Sequence, residues 1–283
     1  MTTIDLSNVA KLVELSIGIP PSTKRDKKQS AELDVKNNSA ANVHRIQVSI
    51  FDSAAYKEAK SIEGAARNAN LKMTEEYSSG GRLVTNAMLI KYLGYMNDAE
   101  QKFYECRDTF LASYPDIVNA AKAYQGDSYN PKYYPPVDEL KDKFKWTIEF
   151  STVPQEGNFI TKHANEQLAE IEADMEIKFK ASQESKIQRI VANQSKRYSE
   201  MLSRLSENLQ PDKKVYDSMI EGARELCDNM KSMNVTNDPN LEGIRQELQK
   251  AMLGVDAVDI RSDDAYRKDV KTKVDDILSK FNF

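Results

Sequence analysis

The side chains best suited to chemistry are few and far apart. The chain has two histidines, His44 and His163, and two cysteines, Cys106 and Cys227. Neither pair has the spacing of a metal site or of a nucleophile with its base, and the cysteines define no disulfide framework. His44 falls in a strand-like run and His163 at a helix start, where each reads as an ordinary surface or capping residue. Carboxylates crowd one stretch, Glu166, Glu170, Glu172, Asp174 and Glu176, with Glu166 and Glu170 on one helical face. A di-metal bundle would also need Glu-x-x-His pairs from two helices, and the sequence has none, so this stretch reads as a solvated face. Phosphate loops, dinucleotide turns and G-x-S-x-G elbows are missing as well. Ser78-Ser79-Gly80-Gly81 is a faint echo of a phosphate cradle, better read as a turn between helices. The expectation is a non-enzymatic protein with no catalytic residues, no metal and no cofactor.

Two basic constellations remain. Lys24, Arg25, Lys27 and Lys28 surround a single Asp26, enough for several phosphate contacts. Lys141, Lys143 and Lys145 lie beside Phe144 and Trp146, a mixture of charge and rings on which single-stranded bases can stack. Alternation opposes that use, because it sends Phe144, Trp146, Ile148 and Phe150 to one face, most simply the core. A net charge of −4, from 40 basic and 44 acidic side chains, also argues against a dedicated nucleic-acid binder, although a local patch can override it. Tyr129, Tyr133 and Tyr134, in the Pro/Tyr-rich loop 126–136, form either a protein-recognition surface or caps on the helix ends.

The elements that must position these groups are mostly helical. The ten glycines and nine prolines of the 283-residue chain fall in clumps that separate long regular stretches. A short β-leaning run marks 11–19 and strand-like alternation marks 44–51 and 145–153, and these three runs are expected to form one small antiparallel sheet. Between the first two, 20–42 is polar and reads as a mobile loop. A helix from Ser53 to about Ala69 is followed by one from Thr85 or Asn86, whose Leu89, Met96, Phe103, Phe110, Ile117 and Tyr124 recur every seven positions. Pro115 predicts a kink or a restart there. The longest pattern, 161–209, carries one apolar stripe that includes Met175, Phe179, Ile187 and Tyr198, on a rod of roughly 70 Å. Three helices follow, over 212–233, 239–255 and 262–281, the last capped by Ser262. The expected fold class is mainly α (α+β): a long-helix antiparallel bundle with a small N-terminal antiparallel β-sheet. The organisation is 1–157, small sheet plus helical hairpin, and 158–283, long helix with a C-terminal bundle, packed together as one unit.

No run of about 18 apolar residues occurs, so no segment is expected to span a bilayer. The first twenty residues lack a charged n-region and an apolar h-region, so no secretory signal is expected, and an intracellular setting makes Asn193 and Asn234 chance matches to the glycosylation triplet.

The order of short motifs resembles a family of uncharacterised proteins encoded by tailed bacteriophages and prophages. It is carried by the Leu-x-Ile strand and Lys-rich loop from Leu15 to Lys28, by Gly81-Arg82-Leu83, by Phe110-Leu111 with Tyr114, and by Tyr134-Pro135. Further along come Lys143-Phe144, Val153-Pro154, Asn158-Phe159, Asn234, Asp238-Pro239, Leu241, Arg261 and Arg267. The resemblance spans nearly the whole chain and implies origin and architecture, with no activity to carry over. It places the protein in the cytoplasm of a bacterial host.

The leading expectation is a non-enzymatic phage accessory protein that works through protein contacts. Its partner is a second copy of the chain or another phage or host protein, and the interface is built from Met175, Phe179, Ile187, Tyr198, Tyr133 and Tyr134. The alternative is an accessory factor of phage DNA replication or recombination that binds single-stranded nucleic acid through Lys24, Arg25, Lys27, Lys28, Lys143 and Lys145. A third, an inhibitor of a host defence protein, would use the same helical surfaces as the first.

Overall fold

A computed structural model describes residues 5–78, 81–155 and 166–281, with side chains from 170 in the last segment. His163, Asn158-Phe159 and the Ser79-Gly80 tip lie outside the described residues, as does the Glu166 side chain. In chain order the elements are α1 (Leu6–Val9), β1 (Ala10–Gly18), β2 (Thr23–Asp26), α2 (Lys27–Lys36), β3 (Ile46–Ser49), α3 (Ala54–Met73), β4 (Glu75–Glu76) and β5 (Arg82–Thr85). Then come α4 (Asn86–Gln125), α5 (Val137–Lys141), β6 (Lys145–Thr152), α6 (Glu166–Asn208), α7 (Asp217–Met233), α8 (Pro239–Ala251), α9 (Ala257–Ser262) and α10 (Asp264–Lys280). The class is mainly α with a small antiparallel sheet. No described helix is long and apolar enough to cross a membrane.

The chain forms two compact units, each discontinuous in sequence. Unit 1 comprises 1–14, 71–91 and 150–283, and unit 2 comprises 15–70 and 92–149.

In unit 1, β1 and β5 pair antiparallel with Leu12 opposite Leu83, and β4 pairs antiparallel with β5. The core is helical: Leu202 and Leu205 of α6 meet Ile220 and Ala223 of α7, Ile244 and Leu248 of α8, and Val270 and Val274 of α10, all buried. Each helix contributes residues three or four apart, the spacing that places one stripe inward. Val215 is buried although α7 begins only at Asp217, so the stripe read from 212 includes a residue of the extended approach. The expected last helix is α10, unbroken, and a short helix that the pattern did not show, α9, precedes it. Asp263, in extended conformation, accepts the N–H groups of Ala265 and Tyr266 and caps α10, the role expected of Ser262. Asp238 caps α8 in the same way, with Pro239 in the first turn.

Unit 2 departs further from expectation. The polar segment 20–42 is built into β2 and α2 rather than a mobile loop. β2 pairs antiparallel with β3, Lys24 opposite Val48, so β3 does not join β1 and β6 in one sheet. α2 has no apolar face to betray it: its buried residues are Ser30 and Asp34. Ser30 Oγ donates to Asp26 O and accepts from Ile46 N, while Asp34 accepts from the backbone N–H groups of Asn42 and His44. Backbone donors that would otherwise be stranded dock this helix on β3. α4 runs through Pro115 as one helix, so of the two outcomes expected there, a kink or a restart, the restart does not occur. Its seam is buried from Tyr92 through Phe110, then moves to Leu111, Tyr114 and Ala121, leaving Tyr124 exposed. A straight helix drifts about 20° per heptad from a seven-residue repeat, so a seam of five heptads cannot stay on one face. Phe110 stands among Phe51, Tyr56, Tyr114 and Phe144 with ring centroids 5.2–5.9 Å away.

Candidate nucleic-acid interface

In unit 2, groups that lie far apart in the sequence meet at one cleft of about 480 Å³. Lys24 comes from β2 and Pro20-Pro21 from the turn before it. Lys132 and the run Tyr133 to Pro136 come from the connection between α4 and α5, and Lys143 stands just ahead of β6. Ile50, Phe51 and Leu140, all buried, form the floor.

The walls are tied down by hydrogen bonds from the core. Tyr56 Oη donates to Pro20 O at 2.6 Å and Tyr114 Oη to Pro135 O at 3.0 Å, which fixes a proline carbonyl on each side. Tyr133 Oη reaches Arg25 O at 3.4 Å, linking the tyrosine loop to β2. Gln125 Nε2 donates to Tyr134 Oη at 2.7 Å and to Ser49 O at 2.6 Å. Tyr134 stacks on Tyr129 with centroids 5.7 Å apart. Burial pushes the Tyr114 hydroxyl up to about 12, with Glu139 adding to the effect, and raises Tyr134 as well. Both phenols therefore stay neutral, Tyr114 as the donor to Pro135 O and Tyr134 as the acceptor from Gln125.

The charge of the cleft is positive. Lys24 and Lys132 are exposed and form no ion pair among the described residues, whereas Lys143 holds Glu139 at 3.0 Å. Lys27 and Lys28 continue the patch along the first turn of α2, both exposed, with Glu32 3.9 Å from Lys28. Arg25 turns away from the cleft: its Nη2 donates to Asn42 Oδ1 at 3.1 Å, and its Nε is buried. Lys145 is exposed on β6 but does not line the cleft.

The structure decides the role of Phe144 and Trp146 and corrects that of Tyr198. Phe144 and Trp146 are not stacking platforms, because both are buried, their rings 5.9 and 5.4 Å from that of Phe103. Alternation holds for Phe144 and Trp146, with Lys143 and Lys145 in water, but lapses farther along β6, where Phe150, expected on the same core face, is 43% exposed. Tyr198 is not an interface residue: it is 0% exposed and lies in the core of unit 1 beside Cys227 and Leu241. Of the other stripe residues, Ile187 packs against the small core around Leu6 and Ile190, Phe179 is half-buried, and Met175 is exposed.

Lys132 and the two proline pairs are the cleft residues that pattern reading passed over. Their signal was present in the Pro131 to Pro136 run, but a proline cluster marks a turn without saying what the turn faces. His44, meanwhile, has a local role: its ring Nδ1 lies 2.8 Å from Asp34 Oδ1. The carboxyl of Asp34 is held below its ordinary value first by the backbone N–H of His44 and then by its ring. Cys227 is buried, and burial pushes its thiol up to about 11, which leaves it unreactive at neutral pH.

The motifs of the resemblance act as supports. Arg82 donates to Thr74, Asn234 accepts from Asp238 N, and Arg261 bonds Val215 O and Asp217. Compared with protein-family models, curated proteins and solved structures, the chain matches none.

Proposed function

We propose that the cleft binds a polyanionic chain, single-stranded nucleic acid, and that the protein is a non-enzymatic accessory factor of DNA replication or recombination in a phage-infected cell. One observation carries this: Lys24, Lys132 and Lys143 converge with Tyr133 and Tyr134 on a single cleft whose proline walls are tied to Tyr56 and Tyr114. Three ammonium groups against one carboxylate, Glu139, leave the cleft positive for phosphates, while half-buried tyrosine and proline faces accept bases without regard to sequence. Fluorescence anisotropy with a labelled oligothymidylate, titrated in salt, tests it. Removing three phosphate contacts in Lys24→Ala/Lys132→Ala/Lys143→Ala should flatten the log–log salt slope by about 2, at roughly 0.7 per contact. A fourfold rise in salt then costs the wild type about 20-fold more affinity than the variant. No binding at low salt, or a slope unchanged in the variant, removes the reading.

Self-association is favoured by a different observation. Ile171 and Met175, one turn apart near the start of α6, are 55% and 42% exposed. A second copy would cover them. Light scattering should then show a dimer that Ile171→Lys/Met175→Lys converts to monomer, and a strict wild-type monomer at micromolar concentration would end this second reading.

A further inference from the structure

Unit 2 holds a second cavity, of about 520 Å³, beside the cleft. Ser49 and Asp52 line it together with Tyr56, Lys57 and Lys60 of α3, and it shares Phe51 with the cleft. The strip from Pro20 to Ser22 lies between the two, its prolines lining the cleft and Ser22 the second cavity. Hydrogen bonds fix that strip: Pro20 O accepts from Tyr56 Oη, and Ser22 O accepts from Ile50 N at 2.8 Å.

A side chain joins the same two sites. Gln125 Nε2 donates both to Ser49 O, in the second cavity, and to Tyr134 Oη, in the cleft. Tyr124 stands at this bridge, its Oη 3.5 Å from Ser49 O and 3.3 Å from Gln125 Nε2, and it is 55% exposed. The drift that takes Tyr124 off the buried seam of α4 thus leaves a flat ring in water beside the bridge. Of the charges in the second cavity, Lys57 and Asp52 are joined at 2.6 Å. Lys60 is exposed and forms no ion pair among the described residues, and Glu63, one turn beyond it, is held by Arg67 at 2.5 Å.

We infer that the strand bound in the cleft continues across Pro20 to Ser22 into this second cavity, with a base stacked on Tyr124 at the crossing and a phosphate on Lys60 beyond it. The inference rests on single-stranded nucleic acid being the ligand of the cleft, and adds a contiguous second site. Single-strand sites cover roughly 4–16 nucleotides in folds that use them, whereas three lysines meet at most about three phosphates, so a bound strand must run on past the cleft. The second cavity offers it the same pairing of ammonium group and ring.

Fluorescence anisotropy of the full chain with a labelled dodecathymidylate tests the path. One phosphate contact, at a salt slope of about 0.7, is worth about eightfold at about 50 mM salt relative to about 1 M, so Lys60→Glu should weaken binding by about that factor or more. Tyr124→Ala should cost about fivefold or more through the lost stacking. Lys102→Glu makes the same charge change at an exposed position about 33 Å along α4 from Tyr124, and should alter affinity less than about twofold. Thermal scans without ligand check each fold, and Tyr124→Leu stands in should the alanine variant unfold. Either Lys60→Glu or the Tyr124 variant within about twofold of wild type overturns the second site, as does an equal loss from Lys102→Glu. The cleft reading survives that result if Lys24→Ala/Lys132→Ala/Lys143→Ala still flattens the salt slope. No binding by the wild type at low salt overturns both.

Discussion

Replacing Arg267 with methionine should cost unit 1 a large part of its stability, although the residue touches neither candidate site. Arg267 is 8% exposed and closes the C-terminal end of α6. Its Nε donates to Leu209 O at 3.0 Å, and its Nη2 reaches Asn208 O at 3.1 Å, Lys213 O at 2.5 Å and Gln210 O. These carbonyls belong to the last turn of α6 and the chain leaving it, where no intrahelical N–H is available, although Gln210 O also accepts from Lys213 N. Methionine preserves the length and the apolar stem and removes every donor. The buried Leu209 carbonyl, left unpaired, costs about 1–3 kcal/mol, and each carbonyl that water can partly reach costs about 0.5–1 kcal/mol. The favourable placement of a cation at a helix C-terminus, up to about 2 kcal/mol, overlaps with these and is not added. The expected loss is about 2–5 kcal/mol, which for a body of about 170 residues lowers the melting temperature by roughly 6–14 °C. Differential scanning calorimetry of wild type, Arg267→Met and Arg267→Lys measures it, with lysine recovering part of the loss through its charge. A methionine variant within about 1 kcal/mol of wild type would refute the reasoning and mean that water replaces the guanidinium at all four carbonyls.

Two further outcomes follow from the cores. Phe110→Ala, which empties a ring-lined site in unit 2, should destabilise by about 3–5 kcal/mol in urea unfolding, and a loss under about 1 kcal/mol would mean the aromatic cluster collapses onto the void. Burial raises the Glu75 carboxyl above its ordinary 4.5, opposed by Arg197, Gln194 and Arg82. A raised folded-state value contributes stability that is present below 4.5 and lost as pH rises through that value. Glu75→Gln abolishes this titration, so relative to wild type it should gain stability between pH 4.5 and neutrality in urea melts. A deficit that grows with pH instead would show that Arg197 keeps the carboxylate ionised.

Most helices were legible because burial leaves a period. α3, α6 and α8 begin or end within a few residues of the expected positions, since apolar residues three and four apart, with a cap ahead and a Gly or Pro behind, describe a local object. β1 was legible as a β-leaning run ending at Pro20-Pro21 and β6 from alternation ahead of Pro154, although the burial of neither keeps strict period two. What failed was polar structure. β2 is Thr-Lys-Arg-Asp and α2 is buried on Ser30 and Asp34, so neither carries the apolar signal that pattern reading detects. The choice between Ser262 and Asp263 as a cap also escaped, because both residue types cap helices and only the backbone at Asp263 is extended.

The candidate sites divide along the same line. The lysines and tyrosines of the cleft could be named from the sequence as groups able to meet phosphates and rings, since that capacity belongs to residue type. Whether they meet each other could not, because Lys24, Lys132 and Lys143 are brought together by contacts between distant segments. The long helix shows the limit from the other side. Its stripe is one continuous pattern, yet Tyr198 is buried within its own chain and Met175 is exposed. Apolar periodicity determines that a face will be covered. What covers it depends on which other elements the tertiary fold places alongside, and that is a long-range property no local pattern carries.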